Sequence, residues 1–353
     1  MISETPLISR QIRLSDGRAL AYAEHGEPSG EPVFFFHGTP GSRLFHHPDG
    51  SIATTLGARV ITIDRPGVGL SDFKPDRTLL DWPDDVAELA DALHIERFAV
   101  AGISGGGPYV AACALRMPHR LTAAAMISSV GPLETPDATN GMIWYLRLLF
   151  SLARHSRTLA ALSWWLANVA GIHNSEWLRN LEVDGLPRSE RELLDKPDVR
   201  RMLAEDYAEA VRCGVSGVAW DLAVLARPWG CRLEDIATVV HLWHGDEDVR
   251  TTPTMARYLA SVIPGCRAVF FPGEGHDVFY NHWRQILATL LSYRTTEENA
   301  RLWWQNDKPS DKRLTRHALA SRCAMSERWL STKQPEACEA GQQRQRIGMD
   351  IRQ

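Results

Sequence analysis

Six short apolar runs, separated by helical patterns, restrict the fold of this chain more than any other feature. The runs lie at residues 33–36, 59–63, 98–101, 123–128, 239–243 and 268–271. None of them alternates clearly between apolar and polar residues, and strands that are apolar on both faces are typical of a parallel sheet covered by helices. Helical patterns at residues 80–94, 105–117 and 279–293 supply such helices. The sequence therefore predicts an α/β fold with a mostly parallel central sheet and helices on both faces.

A β-hairpin is predicted ahead of this alternating region. Residues 11–14 and 19–24 are strand-like, and the turn sequence Ser15-Asp16-Gly17 lies between them. The hairpin and the first four apolar runs lie in residues 1–130, and the last two runs lie in residues 235–294. We predict that these two segments together form the α/β core domain.

The alternation stops between residues 131 and 234. This segment has helical patterns, no convincing strand and many tryptophans, namely Trp144, Trp164, Trp165, Trp177, Trp220 and Trp229. Because it interrupts the series of strands, we predict a helical insertion that packs over the edge of the sheet, and we call residues 131–234 the cap. From residue 295 to 353 aliphatic residues become rare and polar residues accumulate, so this tail is expected to be poorly ordered.

Composition excludes several other classes of protein. The chain is 44% hydrophobic with a formal net charge of -4, which does not favour a nucleic-acid partner. Its six cysteines include no C-x-x-C pair, so a reduced, cytoplasmic protein is expected. The N-terminus lacks the apolar region of a signal peptide, and the most apolar stretch, residues 158–172, is too short to span a membrane. We expect a small-molecule substrate and a monomer or homodimer.

The strongest chemical signal is a G-x-S-x-G pattern at Gly102, Ser104 and Gly106. An apolar strand precedes it and a helix follows it. A serine on such a sharp turn exposes its hydroxyl at the carboxyl end of the strand, and small neighbours let the backbone turn without a clash. A glycine-rich turn without catalysis would look similar in isolation, but the strand before and the helix after favour a nucleophile at Ser104.

A second strand ends in the loop His37-Gly38-Thr39-Pro40-Gly41. Acyl transfer requires two N–H donors aimed at the developing oxyanion. The residue after the nucleophile, Gly105, can supply one of them, and the Thr39 amide in this loop can supply the other. A plain turn would explain the loop if it stood alone.

Two further strand ends supply an acid and a base. The run Val239–Trp243 is followed by His244-Gly245-Asp246-Glu247-Asp248, in which Asp248 is the preferred carboxylate and Asp246 its rival. His276 follows the last apolar run between Gly275 and Asp277. Histidine can act as a general base because its pKa lies near neutral pH. The chain order is Ser, Asp, His, as in hydrolases with a nucleophile on a strand-to-helix turn.

These motifs resemble the α/β-hydrolase superfamily, in its branch of cap-bearing bacterial serine hydrolases and esterases. The sequence D-R-P-G-V-G-L-S at residues 64–71 also resembles that branch, where it is mainly a structural turn, and the resemblance covers roughly residues 12–293. It implies a nucleophile at Ser104, an acid at Asp248, a base at His276, and an oxyanion hole made by the Thr39 and Gly105 amides.

The resemblance also bears on the bond that is cleaved. Dehalogenases and epoxide hydrolases of this fold carry aspartate where Ser104 stands. Proline iminopeptidases resemble the loop at residues 37–41 but usually have glycine at the position of Thr39 and tryptophan at that of Gly105. We therefore expect hydrolysis of a small carboxylic ester through an acyl-serine intermediate. Amide or carbon–carbon bond hydrolysis, acyl transfer and ligand binding without catalysis are the alternatives.

The apolar cap suggests a substrate pocket for an apolar group, with His37, Trp144 and Leu148 as candidate lining residues. Trp144 and Leu148 fall near helical spacing with Leu149 and Leu152, and this apolar stripe could simply hold the cap on the core. The adjacent pair His46-His47 has no third ligand at a suitable spacing, so no metal site and no cofactor are expected.

Overall fold

The computed structural model describes residues 8–156, 158–159, 161–162 and 185–306, with side chains described as far as Tyr293. Residues Met1–Glu297 form one compact unit and Glu298–Gln353 a second, of which residues 298–306 are described.

The described residues contain one eight-stranded sheet. Its strands are β1 (Ile8–Arg13), β2 (Ala19–Gly26), β3 (Glu31–Phe36), β4 (Ala58–Ile63), β5 (Phe98–Ile103), β6 (Leu121–Ile127), β7 (Val240–Gly245) and β8 (Arg267–Phe271). They lie in the order β1-β2-β4-β3-β5-β6-β7-β8. The β1–β2 and β2–β4 pairs are antiparallel, and all the other pairs are parallel. The predicted hairpin and all six predicted parallel strands are confirmed.

Helices cover both faces of this sheet. They are α1 (Ser51–Thr55), α2 (Trp82–Ala92), α3 (Gly107–Arg116), α4 (Trp144–His155), α5 (Arg188–Leu194), α6 (Pro197–Ala210), α7 (Ser216–Ala226), α8 (Pro253–Val262) and α9 (Val278–Asn306). Prolines fix some of these limits: Pro253 occupies the first turn of α8, and Pro118 follows the end of α3.

Alternate residues of β3 show why its sequence reads as continuously apolar. Phe34 and Phe36 pack into the cluster that contains α2, α3 and α8. Val33 and Phe35 point into the opposite cluster, with Trp283 of α9. Since successive side chains of a strand point to opposite faces, both faces must be apolar when both are covered.

Between β6 and β7 the described residues form helices and turns without a strand. Helices α4 to α7 lie in this part of the chain, which is the character expected of the cap. Trp164, Trp165 and Trp177 fall outside the described residues. The limits of the cap, 131 and 234, stay a prediction.

Helix α9 continues to Asn306, beyond residue 293, where the sequence pattern placed its end. No glycine or proline occurs between Val278 and Asn306, so no residue that usually stops a helix interrupts it. The rest of the predicted tail, residues 307–353, lies outside the described residues. Across the described helices, none has the length and the hydropathy needed to cross a membrane.

Candidate active site

Ser104 lies at the turn between β5 and α3. Its φ of 55° is in the left-handed region, which a residue with a β-carbon adopts at a cost. Ile103 before it is extended, and a short 3-10 turn at Ser104–Gly106 leads into α3. Ser104 therefore lies at the carboxyl edge of the sheet, and it is half-buried, whereas every residue of β5 before it is buried.

The turn depends on glycine at residue 106. A β-carbon on Gly106 would lie 2.1 Å from the backbone oxygen of Phe36 and 2.9 Å from that of His37. Both contacts are with backbone atoms that cannot move aside independently of β3. The close approach of the two strand ends therefore requires a residue without a side chain here.

We expect Gly106→Ala to lower the free energy of unfolding by about 1–3 kcal/mol or more, because the added methyl overpacks a rigid site. Gly50→Ala is the matched control, since a β-carbon on Gly50 would meet nothing within 4 Å, and its effect should stay within about 0.5 kcal/mol. Chemical denaturation of both variants measures the difference. Equal stability of the two variants would contradict the close approach.

The two amides predicted to bind the oxyanion belong to neighbouring residues. A β-carbon on Gly105 would lie 2.5 Å from Thr39 Oγ1 and 3.0 Å from Thr39 Cβ. A β-carbon on Gly38 would lie 3.4 Å from Ser104 Cβ. The loop after β3 therefore lies directly against the Ser104 turn.

Asp248 and His276 form a hydrogen-bonded pair at the carboxyl ends of β7 and β8. His276 Nδ1 lies 2.8 Å from Asp248 Oδ2. The Asp248 side chain is completely buried, and that of His276 is 14% exposed. Within the described part of the chain, His276 Nε2 makes no hydrogen bond, so it is free to accept a proton.

The rival carboxylate, Asp246, has a different partner. Its Oδ1 accepts a hydrogen bond of 2.7 Å from the amide of Gly273 in the loop after β8. The geometry therefore supports Asp248 rather than Asp246 as the partner of His276.

A short loop after β6 links the Ser104 turn to this pair. The Val130 amide donates to Ser104 O at 3.0 Å, and Ser128 O accepts from Thr251 Oγ1 at 2.9 Å. Thr251 Oγ1 also lies 2.8 Å from Asp248 Oδ2. The loop at residues 128–130 therefore contacts the Ser104 turn at one end and the Asp248–His276 pair at the other, along one edge of the sheet. Among the described residues, the Ser104 hydroxyl itself makes no hydrogen bond to His276.

Burial and charge shift the pKa values of His276 and Asp248 in opposite directions. Burial lowers the pKa of His276, but the Asp248 carboxylate raises it more, so the net pKa lies above the ordinary value. Burial raises the pKa of Asp248, and the His276 charge outweighs it and brings that pKa to about 2. Asp248 is therefore ionised at neutral pH, and its charge favours the protonated form of His276.

Two acids that sequence reasoning did not single out support the His276 loop. Glu190 Oε2 accepts from the His276 amide at 3.4 Å, and its Oε1 accepts from Arg250 Nε at 2.6 Å. Asp277 Oδ1 accepts from the Gly275 amide at 2.8 Å. Glu190 belongs to α5, 86 positions from His276 in sequence. It lies in no motif from which its contact with the His276 loop could have been predicted.

The three candidate pocket residues lie in unlike environments. His37 is fully buried, with Nδ1 2.8 Å from Gly38 O. Burial and the charge of Arg65 hold the pKa of His37 well below its ordinary value. Trp144 and Leu148 on α4 are 64% and 52% exposed. Their part in a substrate pocket stays a prediction.

Asp206 on α6 is a buried carboxylate beside the loop after β3. Its Oδ1 accepts from the Ser42 amide at 2.7 Å and from Ser42 Oγ at 2.8 Å. Burial raises the pKa of Asp206 to about 7 in spite of these two bonds. Burial therefore stabilises the protonated form of Asp206 relative to the carboxylate.

This pKa predicts a pH-dependent stability. An unfolded aspartate titrates near about pH 3.9, so between that pH and about 7 the folded chain holds a proton that the unfolded chain has lost. The contribution of Asp206 to stability must then fall as the pH rises through this window. Asp206→Asn keeps an acceptor oxygen for Ser42 and cannot ionise.

We expect Asp206→Asn to gain stability relative to the wild type as the pH rises from about 4 to about 7, by a few kcal/mol at most. Denaturant unfolding of both proteins across this range measures the difference, in which the other titrating groups cancel. A difference that does not change with pH would contradict the raised pKa.

Comparison with known proteins identifies the family of the chain. Residues 31–282 match the family described as alpha/beta hydrolase fold. The chain belongs to the α/β-hydrolase family. Its curated relatives include a non-heme chloroperoxidase from Streptomyces lividans, 34% identical over 36% of this chain and 48% of the relative. A proline iminopeptidase from Xylella fastidiosa is 28% identical over 62% of each chain.

The chain spans about half to three fifths of the length of these curated relatives. Among solved structures, a hydrolase from Pseudomonas aeruginosa PA01 matches with a TM-score of 0.60 at 20% identity, over 82% of this chain and 99% of that one. At this identity the likeness shows the fold. The predicted fold class and family are confirmed. The fold alone does not determine the reaction, which depends on the residues of the site.

Proposed function

We propose that this chain is a serine hydrolase that cleaves a small carboxylic ester with an apolar group. The observation that carries the proposal is the 2.8 Å hydrogen bond between His276 Nδ1 and Asp248 Oδ2. It lies at the same sheet edge as Ser104 in its left-handed turn. A nucleophile, a base and an acid that orients the base are the groups that acyl transfer requires.

In the first half of the reaction, Ser104 Oγ attacks the ester carbonyl carbon, and its proton moves to His276 Nε2. The carbonyl electrons collect on the oxygen, which the Thr39 and Gly105 amides stabilise. When the C–O bond breaks, the leaving alcohol takes the proton from His276, and the acyl group stays on Ser104. Asp248 stabilises the positive charge that His276 carries between these steps.

In the second half, water takes the place of the alcohol. His276 Nε2 removes a proton from water as the oxygen attacks the acyl carbon, and the same two amides hold the oxyanion. The bond to Ser104 Oγ then breaks, Ser104 recovers its proton from His276, and the carboxylic acid leaves.

Amide hydrolysis is the second candidate, because a proline iminopeptidase is among the relatives. The loop after β3 argues against it. The side chain of Thr39 fills the space that a side chain at residue 105 would need, with its Oγ1 2.5 Å from that β-carbon position. Thr39 and Gly105 are the two positions at which this chain departs from the iminopeptidase pattern. They are coupled, because the Thr39 side chain leaves room beside the nucleophile only for a residue without a side chain at 105.

The test compares p-nitrophenyl acetate, butyrate and octanoate with proline p-nitroanilide, using the full chain. We expect turnover of the esters, with a preference among the three that reports the size of the pocket, and much slower cleavage of the anilide. Hydrolysis of the anilide without the esters would favour the peptidase reading. If no substrate turns over and a fluorophosphonate does not label Ser104, the proposal of a serine hydrolase fails.

We also propose a cytoplasmic location and a small-molecule substrate, on the sparse cysteine spacing and the modest net charge of the sequence.

A further inference from the structure

A buried ion network lies behind the loop that supplies the Thr39 amide. Its carboxylate is Asp221 of α7, and the Arg65 and Arg77 guanidinium groups lie 2.7 and 2.9 Å from it. Tyr109 also donates a hydrogen bond to Asp221. All three charged side chains are at most 2% exposed. Burial raises the pKa of Asp221, and the two arginines outweigh it and hold that pKa far below its ordinary value.

This network contacts both the side chain and the backbone of the loop. The Thr39 hydroxyl donates to Asp221 Oδ2 and accepts from Arg65 Nη2 at 2.9 Å. Arg65 Nη1 donates to His37 O at 2.7 Å, and Nη2 donates to Gly38 O at 2.7 Å. The short loop is therefore tied down at three successive residues.

The bond to Gly38 O fixes the direction of the Thr39 amide. Gly38 C=O and Thr39 N–H belong to one planar peptide unit, in which they point in opposite directions. A guanidinium that holds the oxygen on one side therefore orients the N–H toward the other side. Asp221 holds that guanidinium in turn, through Nε at 3.0 Å and Nη2 at 2.7 Å.

Helix α7 reaches the second amide as well. A β-carbon on Gly105 would lie 2.9 Å from Leu225 Cδ1, so Leu225 packs against Gly105 one turn after Asp221. One helix thus contacts both residues whose amides are assigned to the oxyanion hole.

We propose that Asp221 is a positioning residue of the active site, which orients the Thr39 amide through Arg65 and the Thr39 hydroxyl. The proposal rests on the proposed function, because it concerns how the oxyanion hole is held. It assigns a role to the sequence at residues 64–71, which the resemblance treats as a structural turn, and to a helix far away in sequence.

The net charge of the network distinguishes two possible effects of Asp221→Asn on the rate: loss of orientation of the Thr39 amide and loss of electrostatic attraction for the oxyanion. Two arginines and one carboxylate leave the network with an excess of positive charge, and removal of the carboxylate increases that excess. A more positive network would by itself favour a developing oxyanion. A lower rate in Asp221→Asn therefore reports lost orientation and not lost attraction.

The experiment measures kcat and KM for p-nitrophenyl butyrate, the rate of labelling by a fluorophosphonate, and Tm. The variants are Asp221→Asn and Thr39→Val, which removes only the hydroxyl and keeps the branched shape. Asp85→Asn is the control, because Asp85 is a buried carboxylate that accepts bonds of 3.1 and 2.6 Å from Arg18, away from the loop. Thr39→Val keeps the test valid if Asp221→Asn does not fold.

We expect Asp221→Asn and Thr39→Val to lose about 10- to 100-fold in kcat, with KM changed less than about threefold, since a displaced donor affects the transition state most. Labelling should slow in parallel. Asp85→Asn should have a lower Tm than the wild type and an unchanged kcat. The inference is overturned if Asp221→Asn and Thr39→Val both keep kcat and the labelling rate at the level of the control. If Ser104→Ala hydrolyses the ester as fast as the wild type, the proposed function fails instead.

Discussion

Ser104→Ala should reduce turnover of p-nitrophenyl esters by about a million-fold, to the slow rate that an oxyanion hole and binding alone can sustain. The reason is that no acyl-enzyme can form without the hydroxyl. The change should leave the fold intact, because the Ser104 side chain makes no hydrogen bond with any described residue. Steady-state rates and the loss of fluorophosphonate labelling measure the effect.

The matched control is Ser261→Ala. Ser261 is exposed in α8, and its hydroxyl donates only to Tyr258 O, at 2.7 Å. Its removal should leave kcat and KM unchanged. A Ser104→Ala variant as active as Ser261→Ala would refute the assignment of the nucleophile.

The strained turn offers a second comparison at the same position. At a φ of 55°, a β-carbon costs about 1 kcal/mol or more, whereas glycine adopts this region freely. Ser104→Gly should therefore be as inactive as Ser104→Ala and unfold at a higher temperature. A lower Tm for the glycine variant would mean that the left-handed turn is not present.

The strands and the residues at their carboxyl ends could be predicted because their signals are local. Each apolar run is confirmed as a strand within a few residues. Since parallel strands end at one edge, Ser104 after β5 and His276 after β8 had to lie along it. Asp248 could be preferred over Asp246 but not chosen from sequence, since both follow β7 within a few residues.

The network behind the oxyanion loop could not be predicted in the same way. Asp221 and Arg65 are 156 positions apart, and no pattern connects them. Two weak signals were present: a lone acid in the apolar helix Ser216–Ala226, and an arginine in the turn after β4. A buried charge needs a partner, so each signal implies a partner without identifying it. Only the packing of α7 on the core does that.

Asp248→Asn should lower kcat/KM by about ten-thousand-fold. The positions of the carboxylate oxygens explain why. Oδ1 accepts from the amides of Arg250 at 2.8 Å and Thr251 at 2.9 Å, so an asparagine must place its oxygen there. Its NH2 group then takes the place of Oδ2 and faces His276 Nδ1. Nδ1 would have to accept a hydrogen bond, and the proton would move to Nε2, where it blocks attack by Ser104.

Asp246→Asn is the control within the same loop. Asp246 accepts one bond, from the Gly273 amide at 2.7 Å, and an asparagine oxygen can accept it as well. Turnover should therefore stay near the wild-type level. A large loss in Asp246→Asn and a small one in Asp248→Asn would reverse the assignment of the acid.

The pH dependence supplies an independent readout of the same pair. His276 acts as a base only when neutral, so kcat/KM of the wild type should rise with pH through a pKa above the ordinary value for histidine, about 6.5. Asp248 is the group that raises this pKa against the effect of burial. In Asp248→Asn burial prevails, and the rise of the remaining activity should move to lower pH. A shift to higher pH, or none, would show that another group supports His276.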